Sequence, residues 1–138
     1  MTLPKLRLAS LAIAITGLII SSWPASATPV EGAWAVQDLI LDIYNCQNRL
    51  CGRIAWTKDA HRRQTDCGRT IVWGLSPSGP GTWDDGSIYD TTDGNTYRLK
   101  ASLGPDGTIR ARIFHGIPLL GKTEVLRRVE PRSQSGWC

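Results

Sequence analysis

Short runs in which apolar and polar residues alternate recur along the chain between Glu31 and Val129, and turn residues separate them. No stretch of 12 residues in this region keeps a helical period, whereas alternation with a period of two is typical of half-buried strands. The pattern predicts eight strands, over residues 32–36, 38–45, 50–57, 69–75, 82–90, 95–103, 108–114 and 122–129.

The connections between the predicted strands are mostly short and carry turn chemistry. Residues 47–49, 92–94 and 104–107 each join two neighbouring strands, and the last of these reads Gly-Pro-Asp-Gly. Proline presets φ in such a turn and glycine accepts a positive φ. Sequential hairpins on one small core favour a closed sheet, because closure removes both exposed edges. We therefore predict an all-β fold, a small eight-stranded antiparallel up-and-down barrel.

The alternation also predicts which side chains face the interior of this barrel. The inward set is Leu39, Leu41, Ile43, Leu50, Ile54, Trp56, Ile71, Trp73, Leu75, Tyr97, Leu99, Ala101, Leu103, Ile109, Ala111 and Ile113. A basic outer face follows from the opposite parity of Arg98, Lys100, Arg110 and Arg112. The facing of the strand over residues 82–90 stays open, because Trp83 and Tyr89 have one parity and Ile88 has the other.

The N-terminus has the three parts of a secretory signal peptide. Lys5 and Arg7 precede an apolar run over residues 8–20, and Ala25-x-Ala27 offers a small-residue cleavage site. The run has 13 residues, whereas a membrane-spanning helix needs about 20. We expect residues 1–27 to be removed. The mature protein, residues 28–138, is then a single barrel domain with a short polar C-terminal tail, periplasmic or secreted, without a stable membrane anchor.

The charge balance of the mature chain gives little support for a nucleic-acid partner. The whole chain has 16 basic and 12 acidic residues, and removing Lys5 and Arg7 leaves 14 against 12. The basic doublets at residues 62–63 and 127–128 have no interleaved aromatic side chains on which bases could stack. We expect no nucleic-acid binding.

Four cysteines lie in the predicted mature chain, and an even number in an exported protein indicates disulfides, with three possible connectivities. Cys46 and Cys51 share the outward parity on either side of a short turn, where a directly opposed pair is close enough to bridge. That pairing leaves Cys67 to bond with Cys138. The spacing contains no Cys-x-x-Cys pair, so neither a zinc site nor a redox site is expected.

Candidate catalytic residues are few. His61 and His115 are the only histidines, and neither stands near a serine or cysteine in a nucleophile motif. Asp84 and Asp85 precede a glycine and have no further carboxylates at metal-ligand spacing. We therefore expect a protein that is not an enzyme and needs no cofactor or metal.

Four motifs, in order, resemble the family called domain of unknown function 2147. They are Gly32-Ala33-Trp34, Cys51-Gly52-Arg53-Ile54-Ala55-Trp56, the run over residues 86–97 with Asp93-Gly94-Asn95-Thr96-Tyr97, and Gly116-Ile117-Pro118-Leu119-Leu120-Gly121-Lys122-Thr123. The resemblance spans residues 32–129 and implies a lipocalin-like or calycin-like barrel of a small exported bacterial protein, with no established catalysis.

The resemblance also implies structural roles for Trp34 and Arg128. In the calycin arrangement an arginine of the last strand packs over the tryptophan of the first strand and closes the barrel floor. Two departures from the family pattern stand out: the segment over residues 58–68 is short, and Leu126 replaces the tryptophan found in many members.

The connection Ile117-Pro118-Leu119-Leu120 is apolar, unlike most connections between strands. It either plugs the barrel end or forms part of an apolar entrance or partner surface. The leading hypothesis is a non-catalytic lipocalin-like protein that binds a small apolar or amphipathic ligand. Its candidate ligand-binding residues are Trp56, Trp73, Tyr97, Phe114, His115, Ile117, Leu119 and Leu120.

The alternative hypothesis is a protein-binding barrel with a filled core, such as an inhibitor or an envelope-stress or scaffold factor, whose protein partner the sequence does not identify. Because Trp56, Trp73 and Tyr97 are large, any cavity should be small. A well-packed interior favours this alternative, and a continuous apolar cavity favours ligand binding.

Overall fold

The computed structural model describes residues 2–5, 17, 30–132 and 135–138. The predicted export signal, residues 1–27, lies almost wholly outside this part of the chain. The elements are β1 (Gly32–Val36), β2 (Leu39–Cys46), β3 (Arg49–Thr57), α1 (Arg63–Asp66), β4 (Thr70–Gly79), β5 (Thr82–Tyr89), β6 (Thr96–Leu103), β7 (Ile109–Phe114), a 3₁₀ turn (Pro118–Leu120) and β8 (Lys122–Arg128). Among these described residues no helix has the length and apolar character needed to span a membrane.

The eight strands form a closed barrel in which each strand pairs with the next in antiparallel fashion and β1 pairs with β8. The predicted up-and-down barrel is therefore confirmed, with strand ends mostly within one residue of the prediction; β4 runs further, to Gly79. The connections after β1, β3, β5 and β7 lie at one end, which we call the mouth. The start of β1 and the end of β8 lie at the other end, the floor.

Trp34 closes the floor from inside the barrel. Its side chain is fully buried, and its Nε1 donates a hydrogen bond of 2.8 Å to the carbonyl of Val30. The guanidinium carbon of Arg128 lies 4.3 Å from the ring centroid, and Arg128 Nη1 donates to the carbonyl of Glu31 at 2.9 Å. This cation–π contact joins the first strand to the last, as in the arrangement that the family resemblance implies.

The turn between β2 and β3 has two residues, Gln47 and Asn48, both with positive φ (55° and 64°). Such φ values suit the type I′ turn that matches the twist of a hairpin. The prediction of a three-residue turn over 47–49 is wrong, because Arg49 begins β3 and pairs with Cys46.

This register places Cys46 and Cys51 diagonally rather than directly opposite each other, which corrects the predicted geometry. Their Cα atoms are 6.0 Å apart and they form a disulfide, since a diagonal pair of this spacing is still within bridging distance. The second disulfide joins Cys67 to Cys138, whose Cα atoms are 5.3 Å apart. Both predicted bridges are confirmed.

A β-bulge in β3 turns Trp56 away from the interior. Ile40 pairs with Trp56, but the next residue of β2, Leu41, pairs with Ile54, so Ala55 is an extra residue in β3. An extra residue reverses the alternation of side chains beyond it. The prediction that Trp56 faces inward is wrong: it packs on the outer wall.

A second irregularity does the same to Trp73 in β4. Leu50 of β3 pairs with Leu75, and Gly52 pairs with Val72. Between these two pairs β3 advances by two residues and β4 by three, so β4 contains one extra residue. Gly74 takes a φ of 75° at this point, which is open to glycine at little cost. Val72 and Leu75 reach the core, whereas Trp73 points outward and is 38% exposed. The predicted inward position of Trp73 is also wrong.

A bulge in β5 explains why its facing was ambiguous. Trp83 and Gly86 pair with Ala101 and Leu99, and Asp85 within the bulge has a φ of 59°. Trp83 and Ile88 both contact the core despite their opposite parity. Asp84 and Asp85 point outward to the basic face. Lys100 Nζ lies 3.3 Å from Asp84 Oδ2, and Arg98 Nη2 lies 3.8 Å from Asp85 Oδ1.

The C-terminal tail crosses the outer wall from the floor towards the mouth. Val129 N donates to the carbonyl of Ala33 near the floor, and Trp56 Nε1 donates to the carbonyl of Ser135 higher on the wall. The last residue, Cys138, donates its backbone N–H to the carbonyl of Ala55. The tail thus covers the outward apolar surface that the bulge in β3 creates, with Trp137 packed there.

Candidate functional site

A cavity of about 960 Å³ opens at the mouth of the barrel. This opening is larger than the small cavity that the sequence predicts, because the two bulges direct Trp56 and Trp73 outward and away from the mouth. The walls come from the four mouth connections and the adjoining strand ends, and comprise Val36, Gln37, Asp38, Leu39, Thr57, Lys58, Asp59, Arg62, Asp66, Ile71, Ile88, Tyr89, Asp90, Thr91, Thr92, Asp93, Tyr97, Ile113, Phe114, His115, Leu120, Gly121, Lys122 and Glu124.

A second space of about 70 Å³ lies deeper in the barrel. Its lining is apolar except for one carboxylate and comprises Val30, Val36, Leu41, Ile43, Leu50, Val72, Leu75, Ile88, Leu99, Ala101, Ile109, Ala111, Ile113, Glu124 and Leu126. Four lining residues also line the mouth cavity, namely Val36, Ile88, Ile113 and Glu124. The two spaces therefore adjoin, and the interior changes from apolar near the floor to polar near the mouth.

Glu124 lies at the boundary between the two spaces. It pairs with the inward Ala111 in the register of β8, and its side chain is 21% exposed. Gln37 Nε2 donates to Glu124 Oε1 at 2.7 Å, and Lys122 Nζ lies 3.6 Å from the same oxygen. These contacts hold a carboxylate above the apolar pocket. Sequence reasoning missed it, although Glu124 shares the parity of the buried Leu126.

The wall of the mouth cavity carries more acidic than basic side chains. The carboxylates are Asp38, Asp59, Asp66, Asp90, Asp93 and Glu124, and the cations are Lys58, Arg62 and Lys122. Each cation lies within 4 Å of one carboxylate: Lys58 of Asp38, Arg62 of Asp59, and Lys122 of Glu124. Since the cations are paired, the remaining carboxylates give the mouth an acidic excess on a chain whose net charge is positive.

Tyr97, Asp93 and His115 form a small polar group on this wall. Tyr97 Oη donates to Asp93 Oδ2 at 2.6 Å, and the Tyr97 ring meets the His115 ring edge-on with centroids 6.2 Å apart. The hydrogen bond favours ionised Asp93 and neutral Tyr97, so it lowers the pKa of Asp93 and raises the pKa of Tyr97. The arrangement can orient a polar ligand group at the opening.

The structure brings together half of the predicted ligand-binding residues. Tyr97, Phe114, His115 and Leu120 line the mouth cavity. Ile117 and Leu119 do not line it and project from the connection between β7 and β8, so this segment does not plug the barrel. Sequence reasoning missed Gln37, Arg62, Asp66, Tyr89 and Lys122, because they reach the site only when distant connections meet at one end.

The part of the chain that the structure describes holds no group of three or more His, Cys, Asp or Glu side chains suited to a metal ion. The carboxylates of the mouth are instead spread around the opening and engaged by neighbouring side chains and backbone. Asp90 accepts a hydrogen bond from Thr92 N, and Asp66 accepts one from Thr65 Oγ1.

A closed antiparallel barrel with an arginine-capped tryptophan at its floor and an opening at its mouth is a lipocalin-like fold. The chain belongs to the family described as uncharacterized protein conserved in bacteria (DUF2147), whose model matches residues 32–128. A structure described as protein HP1028 from the human pathogen Helicobacter pylori, of the lipocalin family, is similar with a TM-score of 0.62 and 14% identity. The match covers 72% of this chain and 82% of that one, and at this identity it establishes the fold alone. No curated protein matches the sequence.

Proposed function

We propose that this protein binds a small amphipathic molecule inside its barrel and performs no catalysis. The observation that carries the proposal is the pair of adjoining spaces, a small apolar pocket below and a larger, polar-rimmed cavity above. An apolar group of the ligand occupies the lower pocket and its polar group lies at the level of Glu124. The filled core required by the alternative, a protein-binding barrel, has no support in this interior.

The contacts around Glu124 suggest what the polar group of the ligand offers. Both described contacts of this carboxylate, with Gln37 and Lys122, are made by Oε1. Its second oxygen, Oε2, can therefore accept a hydrogen bond from a hydroxyl or amine on the ligand. The acidic excess of the rim favours a neutral or cationic group over a second carboxylate.

The lower pocket limits the affinity that apolar burial supplies. A space of about 70 Å³ holds only a few carbons, and each buried methylene contributes about 0.8 kcal/mol before the costs of association. Contacts in the upper cavity must provide the rest, and we expect modest affinity. The two disulfides and the bacterial family support action in the periplasm or outside the cell.

The test is a titration with the fluorescent apolar amine N-phenyl-1-naphthylamine, followed by competition with medium-chain alcohols, amines and fatty acids. Saturable binding is expected, with alcohols and amines displacing the probe better than fatty acids of equal length. Ala101→Leu adds volume to the lower pocket and should weaken binding by about tenfold or more, since overpacking there also excludes the ligand.

Ser102→Leu is the matched control, because it adds the same side chain at the next position of β6, which pairs with the outward Arg110. It should bind the probe like the unmodified protein. Absence of saturable binding, or an equal loss in both variants, would refute the proposal. Circular dichroism on each variant separates a lost pocket from a lost fold.

A further inference from the structure

Three apolar side chains stand exposed together in the connection between β7 and β8. Ile117, Leu119 and Leu120, which we call the apolar tip, are 54%, 81% and 77% exposed. Single exposed apolar residues are common on protein surfaces, but a cluster at one projecting point marks an interaction site. The tip borders the mouth cavity, because Leu120 also lines it.

The backbone of the tip is held in place by Arg112 on β7. Arg112 Nε donates to the carbonyl of Pro118 at 2.8 Å and Nη2 donates to the carbonyl of Leu119 at 3.1 Å, while Nη1 donates to Thr123 Oγ1 at 3.1 Å. The guanidinium thus donates hydrogen bonds to two backbone carbonyls of the tip from the barrel side, and the side chains of Leu119 and Leu120 remain exposed to solvent. A preorganised apolar surface binds without a large cost for ordering the connection.

Basic side chains lie just below the tip on the same side of the barrel. Arg98 pairs with Phe114 and Lys100 pairs with Arg112, so these outward cations lie in the mouth half of β6 and β7. With Arg112 they form a set that we call the basic shoulder, although Arg98 Nη2 lies 3.8 Å from Asp85 Oδ1 and Lys100 Nζ lies 3.3 Å from Asp84 Oδ2. At about 3.3 Å per strand residue, the shoulder lies within roughly 7 Å of the end of β7.

An anionic bilayer complements this arrangement, because its apolar acyl chains lie below a surface of anionic head groups. A tip that inserts first reaches the acyl boundary while the basic side chains behind it stay at the head groups. Apolar side chains enter the boundary between acyl chains and head groups, and cations near the surface are attracted to anionic lipids. A stable protein interface requires about 800 Å² from each partner, more than three side chains provide. The tip therefore suits a lipid surface better than a second copy of the chain.

We propose that the apolar tip docks the protein peripherally on an anionic phospholipid bilayer. Leu119 and Leu120 enter the interfacial layer, and the basic shoulder faces the lipid phosphates. Docking through the tip and the outward face of β6 and β7 leaves the acidic rim of the mouth beside the bilayer rather than against the lipid phosphates, and an amphipathic molecule can enter the cavity from there. The docking itself does not depend on ligand binding.

The test is flotation of the purified protein with large unilamellar vesicles of phosphatidylcholine and phosphatidylglycerol at 3:1, compared with pure phosphatidylcholine. The protein should float with the mixed vesicles, less with pure phosphatidylcholine, and less at high salt. Leu119→Ser/Leu120→Ser should reduce vesicle binding by about tenfold or more, because two leucines leave the interface. Both positions are exposed, so this variant should fold normally.

Val125→Ser is the matched control, since Val125 is an apolar residue 37% exposed on the outer wall of β8, away from the tip. It should float like the unmodified protein. Ala101→Leu, which fills the lower pocket, should also float normally, so that a failure of ligand binding remains distinguishable from a failure of docking. In a Leu119→Trp variant, phosphatidylcholine brominated near the head group should quench the new tryptophan.

Three results would overturn the proposal. The unmodified protein fails to float with the anionic vesicles, or the double serine variant floats as well as the unmodified protein. The third is a concentration-dependent dimer in light scattering that the double serine variant abolishes, since the tip would then contact a second copy of the chain.

Discussion

Replacing Cys67 and Cys138 with serine should destabilise the folded protein much more than replacing Cys46 and Cys51. The disulfide between Cys67 and Cys138 joins residues separated by 71 positions, whereas Cys46 and Cys51 are separated by 5. A cross-link removes conformational entropy from the unfolded chain, and the loss increases with the logarithm of the number of residues in the closed loop. The chain-entropy relation gives about 4 kcal/mol for the longer loop and about 2 kcal/mol for the shorter.

The longer disulfide also holds the tail against the barrel wall. Without it, the contacts of Trp137 and the hydrogen bond from Trp56 to Ser135 depend on a chain end that is no longer fixed. The difference of about 2 kcal/mol between the two double variants is therefore a lower estimate. The barrel itself stays closed, because β1 and β8 pair without help from the tail.

Urea denaturation of both double serine variants and the unmodified protein, followed by far-ultraviolet circular dichroism, measures these free energies. At roughly 4 °C for each kcal/mol in a domain of this size, the melting temperatures of the two variants should differ by about 8 °C. Equal losses, or a larger loss in the Cys46/Cys51 variant, would contradict the loop-entropy argument and the role given to the tail.

Two further predictions concern single side chains. Trp73 is exposed on the outer wall, so iodide should quench its fluorescence. Trp73→Phe should remove most of the iodide-accessible emission without changing probe binding. Reduced probe binding in this variant would show that Trp73 faces the interior. Asp93→Asn should lower the pKa of Tyr97, seen in the tyrosinate absorbance, because the neutral amide no longer favours the protonated phenol. The lowered pKa of Asp93 means that its contact contributes to stability above the ordinary value of 3.8 and loses that contribution as the pH falls through the lowered pKa.

The strands and the closure of the barrel could be predicted because both depend on local signals. Alternation identifies each strand, turn residues separate them, and an edge-free sheet follows from sequential hairpins. The facing of side chains could not be predicted as well, since one extra residue reverses the parity for the rest of a strand. Gly74 is a hint of such a position in β4, but Ala55 in β3 gives none, so the sequence predicts the wrong side of the sheet for Trp56.

The candidate site also has features that the sequence predicts and features that depend on contacts between distant residues. The apolar segment over residues 117–120 is conspicuous in the sequence, and the structure places it at the mouth. Glu124 depends instead on Gln37, which is 87 positions away and becomes a neighbour only when the last strand pairs with the first. Parity alone places Trp56 and Trp73 in the interior, and it therefore predicts too small an opening at the mouth.

The path of the tail has a practical consequence for anything attached to the protein. Val30 lies at the floor beside Trp34, whereas Cys138 is fixed to Ala55 and Cys67 near the mouth. A fusion or surface tether added after Cys138 would therefore begin beside the opening of the barrel and obstruct it. One attached ahead of Val30 would begin at the opposite end, so only that geometry presents the opening freely to vesicles or to immobilised ligands.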